Sequence, residues 1–314
     1  MVLRLITAAA LTALALGATA QEINFGIIAT DSASAQRDRW EPFFRDMAQK
    51  TGLKVTSYYA PDYAGVIEAM RFNKIQVAWY GNKAAMEAVD RANGEVFARV
   101  MYADGTYGYH GLLITHKDSP YQSVDDVFKN AKGINFGIGD PNSTSGFLVP
   151  TYYLFAQNNV DHRTAFKSVR NASHGANIQA TLARQVDVAT NNTEDMGKLE
   201  SAKPELFAQL RVLWKSPLIP SDPFVWRKDL DPAVKAKIKS FVLGYAKSDP
   251  AEKAILKNIY SYGGFRESDN RQLVPIRQLE LFRDRRKAEG DEKLSADEKA
   301  KLIAEIDRKL AALK

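Results

Sequence analysis

The sequence predicts an α/β fold of two lobes, on three observations. Short β-rich runs alternate with helical patterns along the chain, which announces a mainly parallel sheet flanked by helices. No Gly/Ser linker and no internal repeat separates the halves, so the chain crosses between the lobes more than once. With apolar residues at 45% and roughly 290 residues after the first twenty, there is enough material for two ordinary cores.

Residues 1–20, MVLRLITAAALTALALGATA, carry one early charge at Arg4, an apolar stretch from Leu5 to about Leu16, and small residues ending in Ala18-Thr19-Ala20. That pattern predicts a secretory signal peptide cut before Gln21. A membrane anchor is the competing reading, but the apolar run falls short of the roughly 18 residues a spanning helix needs. Export would place the chain in an oxidising compartment, yet it has no cysteine. Disulfides, thiolate metal sites and a cysteine nucleophile are all excluded.

Strands are predicted at 23–28, 54–59, 76–80, 111–115, 134–139, 186–190 and 211–214, with helices between them. Trp40, Phe43, Phe44 and Met47 recur at three- and four-residue steps, which buries one helix face. Asp231-Pro232 places a cap and a first-turn proline ahead of a helix running to Tyr245. One lobe is assigned to 21–112 and 225–290, the other to 113–224. Ser295-Ala-Asp-Glu298 reads as a capping box, and Leu302, Ile306, Leu310 and Leu313 follow at helical spacing, so 291–314 is a C-terminal helical extension. Its stripe suits packing on its own lobe or self-association into a homodimer.

The formal net charge is +6, which makes nucleic acid the partner to test first. Basic residues are interspersed with acids, as in Arg283-Asp-Arg-Arg-Lys-Ala-Glu289, and no basic stripe interleaves with aromatics. A solvated helix face accounts for them, and no nucleic-acid partner is expected. Four histidines, 110, 116, 162 and 174, show no metal-ligand spacing, so neither a metal nor a cofactor is expected.

Asp140-Pro-Asn-Ser-Thr-Ser-Gly-Phe147 joins a predicted strand to a helical stretch. Ser143, Thr144 and Ser145 therefore gather at a helix N-terminus, where unpaired N–H groups and the positive end of the helix dipole favour a tetrahedral oxyanion. A plain N-cap needs only one of them.

The segment Asp140-Pro-Asn-Ser-Thr-Ser-Gly-Phe-Leu-Val-Pro150 resembles the signature of the periplasmic phosphonate-binding proteins of ABC importers. Similar too are Ala60-Pro-Asp-Tyr-Ala-Gly65, Ala78-Trp-Tyr-Gly-Asn82, Val186-Asp-Val-Ala-Thr-Asn-Asn-Thr-Glu194 and Trp214-Lys-Ser-Pro-Leu-Ile-Pro220 with Asp222-Pro223 following. The likeness runs through the chain up to the tail. It implies a type II periplasmic-binding-protein fold, two α/β lobes joined by a hinge, with a periplasmic location and a membrane permease as partner. It implies further that Ser143, Thr144 and Ser145, with Tyr63, Tyr109 and His174, hold a phosphonate, and that Glu194 and Asp222 read an aminoalkyl end such as that of 2-aminoethylphosphonate. The surroundings of His174 match the family less closely than the rest.

Each residue has a plainer reading on its own. Tyr63 and Tyr109 suit packing with a wetted hydroxyl, and His174 suits a structural role. Glu194 stands three after Asn191, as in a capping box, and Asp222 before Pro223 is ordinary turn composition. Phosphite or phosphate would fit the same turn. A periplasmic phosphoester or phosphonate hydrolase is the enzyme alternative, but His-Glu-x-x-His, Gly-x-Ser-x-Gly and Walker motifs are all missing, so no catalytic residue is assigned.

Overall fold

A computed structural model describes residues 21–313; the predicted signal peptide, 1–20, lies outside them. Thirteen strands follow in chain order: β1 Glu22–Ile27, β2 Lys54–Tyr59, β3 Val77–Trp79, β4 Gly94–Tyr102, β5 Gly108–Tyr109, β6 Gly111–His116 and β7 Asn135–Ile138. Then come β8 Ser168–Asn171, β9 Val188–Asn192, β10 Leu210–Lys215, β11 Ile219–Pro220, β12 Pro223–Arg227 and β13 Tyr262–Glu267.

They form two lobes. The first holds a six-stranded sheet in the order β13-β4-β12-β3-β1-β2, the second a five-stranded sheet in the order β10-β6-β9-β7-β8. Both sheets are mixed rather than mainly parallel. In the first, β1 runs parallel to β2 and β3, but β12 lies antiparallel between β3 and β4. In the second, β7 runs parallel to β8 and β9, while β6 is antiparallel to both β9 and β10. β13 is also antiparallel to β4, but the reversals of β6 and β12 share one cause. A strand that brings the chain in from the other lobe is not the product of a helical crossover, so it is free to run against its neighbours.

The chain crosses between the lobes at 103–110 and at 216–222, where β5 and β11 pair in a two-stranded ribbon. Gly111 and Leu112, expected in the first lobe, pair with Asn192 and Asn191 in the second sheet. Pro223 and Phe224, expected in the second, pair with Arg99 and Ala98 in the first. The ladders place these residues where backbone N–H and C=O groups find partners, and motif spacing carries no such information.

Helix Ala33–Thr51 buries Trp40, Phe43, Phe44 and Met47 as the periodicity predicts. Its rings enter an aromatic cluster under the first sheet, with Phe25 and Phe44 5.0 Å apart and Trp40 and Trp79 5.3 Å apart. Each such pair contributes about 0.5–1.5 kcal/mol beyond its buried area. The second lobe packs Phe136 on Phe166 at 4.5 Å. The tail forms helix Ala296–Ala311 with the capping box at Ser295 and Glu298 in place. Ile306 is buried and Asp307 pairs with Arg285 at 3.0 Å, so this helix lies on helix Val274–Gly290 of its own chain. No helix among the described residues is long and apolar enough to cross a membrane.

Candidate functional site

The site forms where strands end and helices begin, the end of an α/β sheet at which helix N-termini point their N–H groups into a crevice. After β7 the chain turns through Asp140 to Ser143 and opens a helix at Thr144. The Ser143 hydroxyl caps it by accepting from the Gly146 N–H at 3.0 Å. Its first turn is wide, with Leu148 N–H reaching back to Ser143 O at 3.1 Å, as suits a segment whose Pro150 has no N–H to give. Gly139 and Gly146 let the turn lie flat on the strand end. A Cβ on Gly139 would stand 2.6 Å from the Gly146 Cα, and Thr190 ties the two by accepting from Gly139 N–H and donating to Gly146 O.

Around this turn all eight residues singled out in the sequence line one small cavity, together with Ile28, Thr30, Gly81 and Asn192. His174, first residue of helix His174–Leu182, sets Nε2 3.3 Å from the Ser143 hydroxyl and 3.4 Å from that of Ser145. Burial pushes its pKa down, so the imidazole is neutral. A proton on Nε2 then makes it a donor toward the hydroxyls and the cavity. Asn192 donates to Ser145 at 3.4 Å, and the Tyr63 hydroxyl lies beside Ser143.

The two lobes meet across this cavity. The Thr144 hydroxyl accepts from the Lys83 N–H at 2.9 Å, satisfying a free donor at the start of helix Asn82–Arg91 in the other lobe while keeping its own proton for the cavity. Asp140 accepts from the Tyr63 N–H at 3.2 Å in the same manner. A hydroxyl that accepts on one side polarises to donate more strongly on the other.

The far end of the cavity is acidic. Glu194 is not part of a capping box: Asn192 caps helix Thr193–Ala202 by accepting from the Asp195 N–H at 2.7 Å, which leaves Glu194 free to face the cavity. Its Oε1 accepts from Tyr102 at 2.7 Å and Tyr262 at 3.2 Å, both from the first lobe. Asp222, on the second crossing, accepts from Tyr109 at 3.0 Å and Asn82 Nδ2 at 3.3 Å. Burial, reinforced by the Asp195 charge, pushes Glu194 up to about 8 against the pull of its tyrosines. Burial and the Glu194 charge raise Asp222 well above the usual carboxylate range. Among the described residues, those lining the cavity include no lysine or arginine.

Chain residues 25–273 match the model of the family described as the periplasmic substrate-binding protein of phosphonate ABC transporters. The chain belongs to this family. It is 50% identical over 288 residues to the phosphonates-binding periplasmic protein of Escherichia coli, covering 92% of this chain and 84% of that protein. It superposes with a TM-score of 0.92 and 51% identity on the crystal structure of a phosphonate ABC-transporter binding component from Pseudomonas aeruginosa, covering 94% and 97% of the two chains. A Prochlorococcus marinus protein in complex with methylphosphonate shares the fold at 20% identity, with a TM-score of 0.71 over 82% of this chain and 97% of that one.

As a member of this family the chain is a periplasmic phosphonate-binding component of an importer and not an enzyme, so the hydrolase alternative is set aside. Sequence reading missed Asn192 in this binding protein's cavity wall and the two tyrosines that hold Glu194 from behind. Asn192 lies within the segment Val186–Glu194 that resembles the family, but the resemblance assigns it no role. Tyr102 and Tyr262 gave no signal, because their link to Glu194 spans 92 and 68 residues.

Proposed function

We propose that the cavity binds a phosphonate bearing a short aminoalkyl chain, with 2-aminoethylphosphonate as the fitting member, and that the protein delivers it to a membrane permease with its lobes closed. In this reading Ser143, Thr144, Ser145, Tyr63 and His174 donate to the phosphonate. Glu194 and Asp222 take the ammonium, and Tyr109 orients Asp222. The observation that carries it is the pair of carboxyls, Asp222 buried and Glu194 half-buried, facing a cavity lined by no lysine or arginine. Two such groups left alone are a liability, and an ammonium between them removes it.

The energetics are sufficient. Micromolar affinity needs about 8 kcal/mol, and hydrogen bonds to a charged group contribute about 1.5–3 kcal/mol each before ordering costs. Five neutral donors supply that without a cation from the protein. Donors from both lobes surround the cavity, so coordination is complete only in the shut form, which couples binding to closure.

Phosphate or phosphite would use the hydroxyl end alone and leave the carboxyls unpaired. Calorimetry of the wild-type protein in buffers of different ionisation enthalpy discriminates these. At pH 7 the expected result is at least about tenfold tighter binding of 2-aminoethylphosphonate than of methylphosphonate or phosphate, with a proton release on binding the amino ligand, beyond that from the phosphonate's own ionisation, as Glu194 ionises beside it. Equal affinities with equal proton counts would remove the ammonium subsite. The proposal extends to a homodimer through helix Ala296–Ala311, on which Leu302 is 40% exposed and Leu310 half-buried, with half-buried Leu313 just past its end.

A further inference from the structure

Outside the ligand cavity a second set of contacts joins the lobes. Thr30 and Asp31, just after β1, face the start of helix His174–Leu182 and the side of helix Thr193–Ala202. The Gly175 N–H donates to Thr30 O at 3.0 Å, and Lys198 Nζ stands 2.7 Å from Asp31 Oδ2. Asp31 is fixed within its own lobe by Arg39 at 2.8 Å and by the Ser32 N–H at 2.8 Å. Asp31, Gly175 and Lys198 line a wider groove outside the ligand cavity, and of the four residues only Thr30 lines that cavity.

We infer that Asp31 of one lobe and Gly175 with Lys198 of the other form a clasp, backed by the Thr30 carbonyl, whose side chains hold the cleft shut from outside the ligand cavity. The inference rests on the reading that the lobes close on ligand. Its sharpest feature is Gly175. A Cβ there would overlap Asp31 Oδ1 and stand 2.9 Å from its Cγ, with no atom of the second lobe among the nearest three. Gly175 has ordinary helical backbone, so alanine suits its own lobe and helps its helix. The clash exists only when the lobes meet. Asp31 cannot swing away without leaving Arg39, Ser32 and Lys198 together. The Lys198 pair is partly exposed, 25% and 21% for its two side chains, so its contribution is modest and screened by salt.

The test uses the mature protein, with titrations of 2-aminoethylphosphonate, methylphosphonate and phosphate, and small-angle scattering with and without ligand. Gly175→Ala is expected to lower affinity at least about tenfold for every ligand the wild type binds, and to reduce the compaction on binding. Its ligand-free melting temperature is expected to be unchanged or higher, which separates the effect from unfolding. Lys198→Met keeps the methylenes and is expected to cost about two- to fivefold through faster release, with a shallower dependence of affinity on sodium chloride than the wild type. Wild-type affinity and compaction in Gly175→Ala would overturn the clasp. A loss confined to the amino ligand would also overturn it, assigning these residues to recognition. Failure of the wild type to prefer the amino ligand would instead sink the ligand reading and leave the clasp to be read with phosphate.

Discussion

Glu194→Gln is expected to cost 2-aminoethylphosphonate about a hundredfold in affinity while changing methylphosphonate by less than about threefold. The amide keeps the shape of the carboxylate and an oxygen to accept from Tyr102 and Tyr262, so the cavity wall stays in place. What it loses is the negative charge opposite the ammonium. Removing one member of a buried charge pair costs about 2–5 kcal/mol, because the other charge is left in a poorly solvating site. Methylphosphonate brings no ammonium and has nothing to lose. Calorimetry of both ligands on both proteins reads the difference directly, and equal losses would show that Glu194 acts on the fold or the phosphonate end.

The same carboxyl is expected to make the ligand-free protein less stable as pH rises. Glu194 is raised from 4.5 to about 8 on folding, so between those values the folded protein keeps a proton that the unfolded chain has released. Stability from this group is full below pH 4.5 and is lost as pH climbs through 8. His162 and His174, pushed down by burial from 6.5, work in the opposite direction at lower pH, so the clean comparison is with the variant. In scanning calorimetry without ligand, Glu194→Gln is expected to melt several degrees above wild type at pH 8.5 and to match it near pH 4.5, at about 2–4 °C per kcal/mol. A gap that widens toward low pH would contradict the burial of this carboxyl. Such a gain with loss of ligand is the ordinary exchange between stability and function at a binding site.

The fold was legible where a pattern repeats locally. The 3.6-residue stripe of Trp40, Phe43, Phe44 and Met47 and the caps at Asp231 and Ser295 depend on near neighbours, and they stand as read. Strands β4, β8, β12 and β13 escaped because what makes them strands is pairing with distant partners. Pro223–Arg227 opens with a proline and is held only by insertion between β3 and β4.

The hydroxyl-rich end of the cavity was legible because Ser143, Thr144 and Ser145 are consecutive and sit at a helix start. The acidic end was not, apart from the family resemblance. Glu194 and Asp222 look like capping and turn residues until folding brings both to one cavity. The tyrosines on Glu194 come from strands in the other lobe, Tyr109 reaches Asp222 from the crossing ribbon, and the Asp31, Gly175 and Lys198 contacts exist only through the meeting of two lobes. No spacing rule in one chain encodes that meeting.

The most direct test is a crystal structure of the protein grown with 2-aminoethylphosphonate. The expected result places the phosphonate oxygens within hydrogen-bond reach of the Ser143, Thr144 and Ser145 hydroxyls and the ligand nitrogen between Glu194 and Asp222. Density for the ligand in the outer groove beside Asp31 and Lys198, or a ligand lying the other way round, would contradict the account.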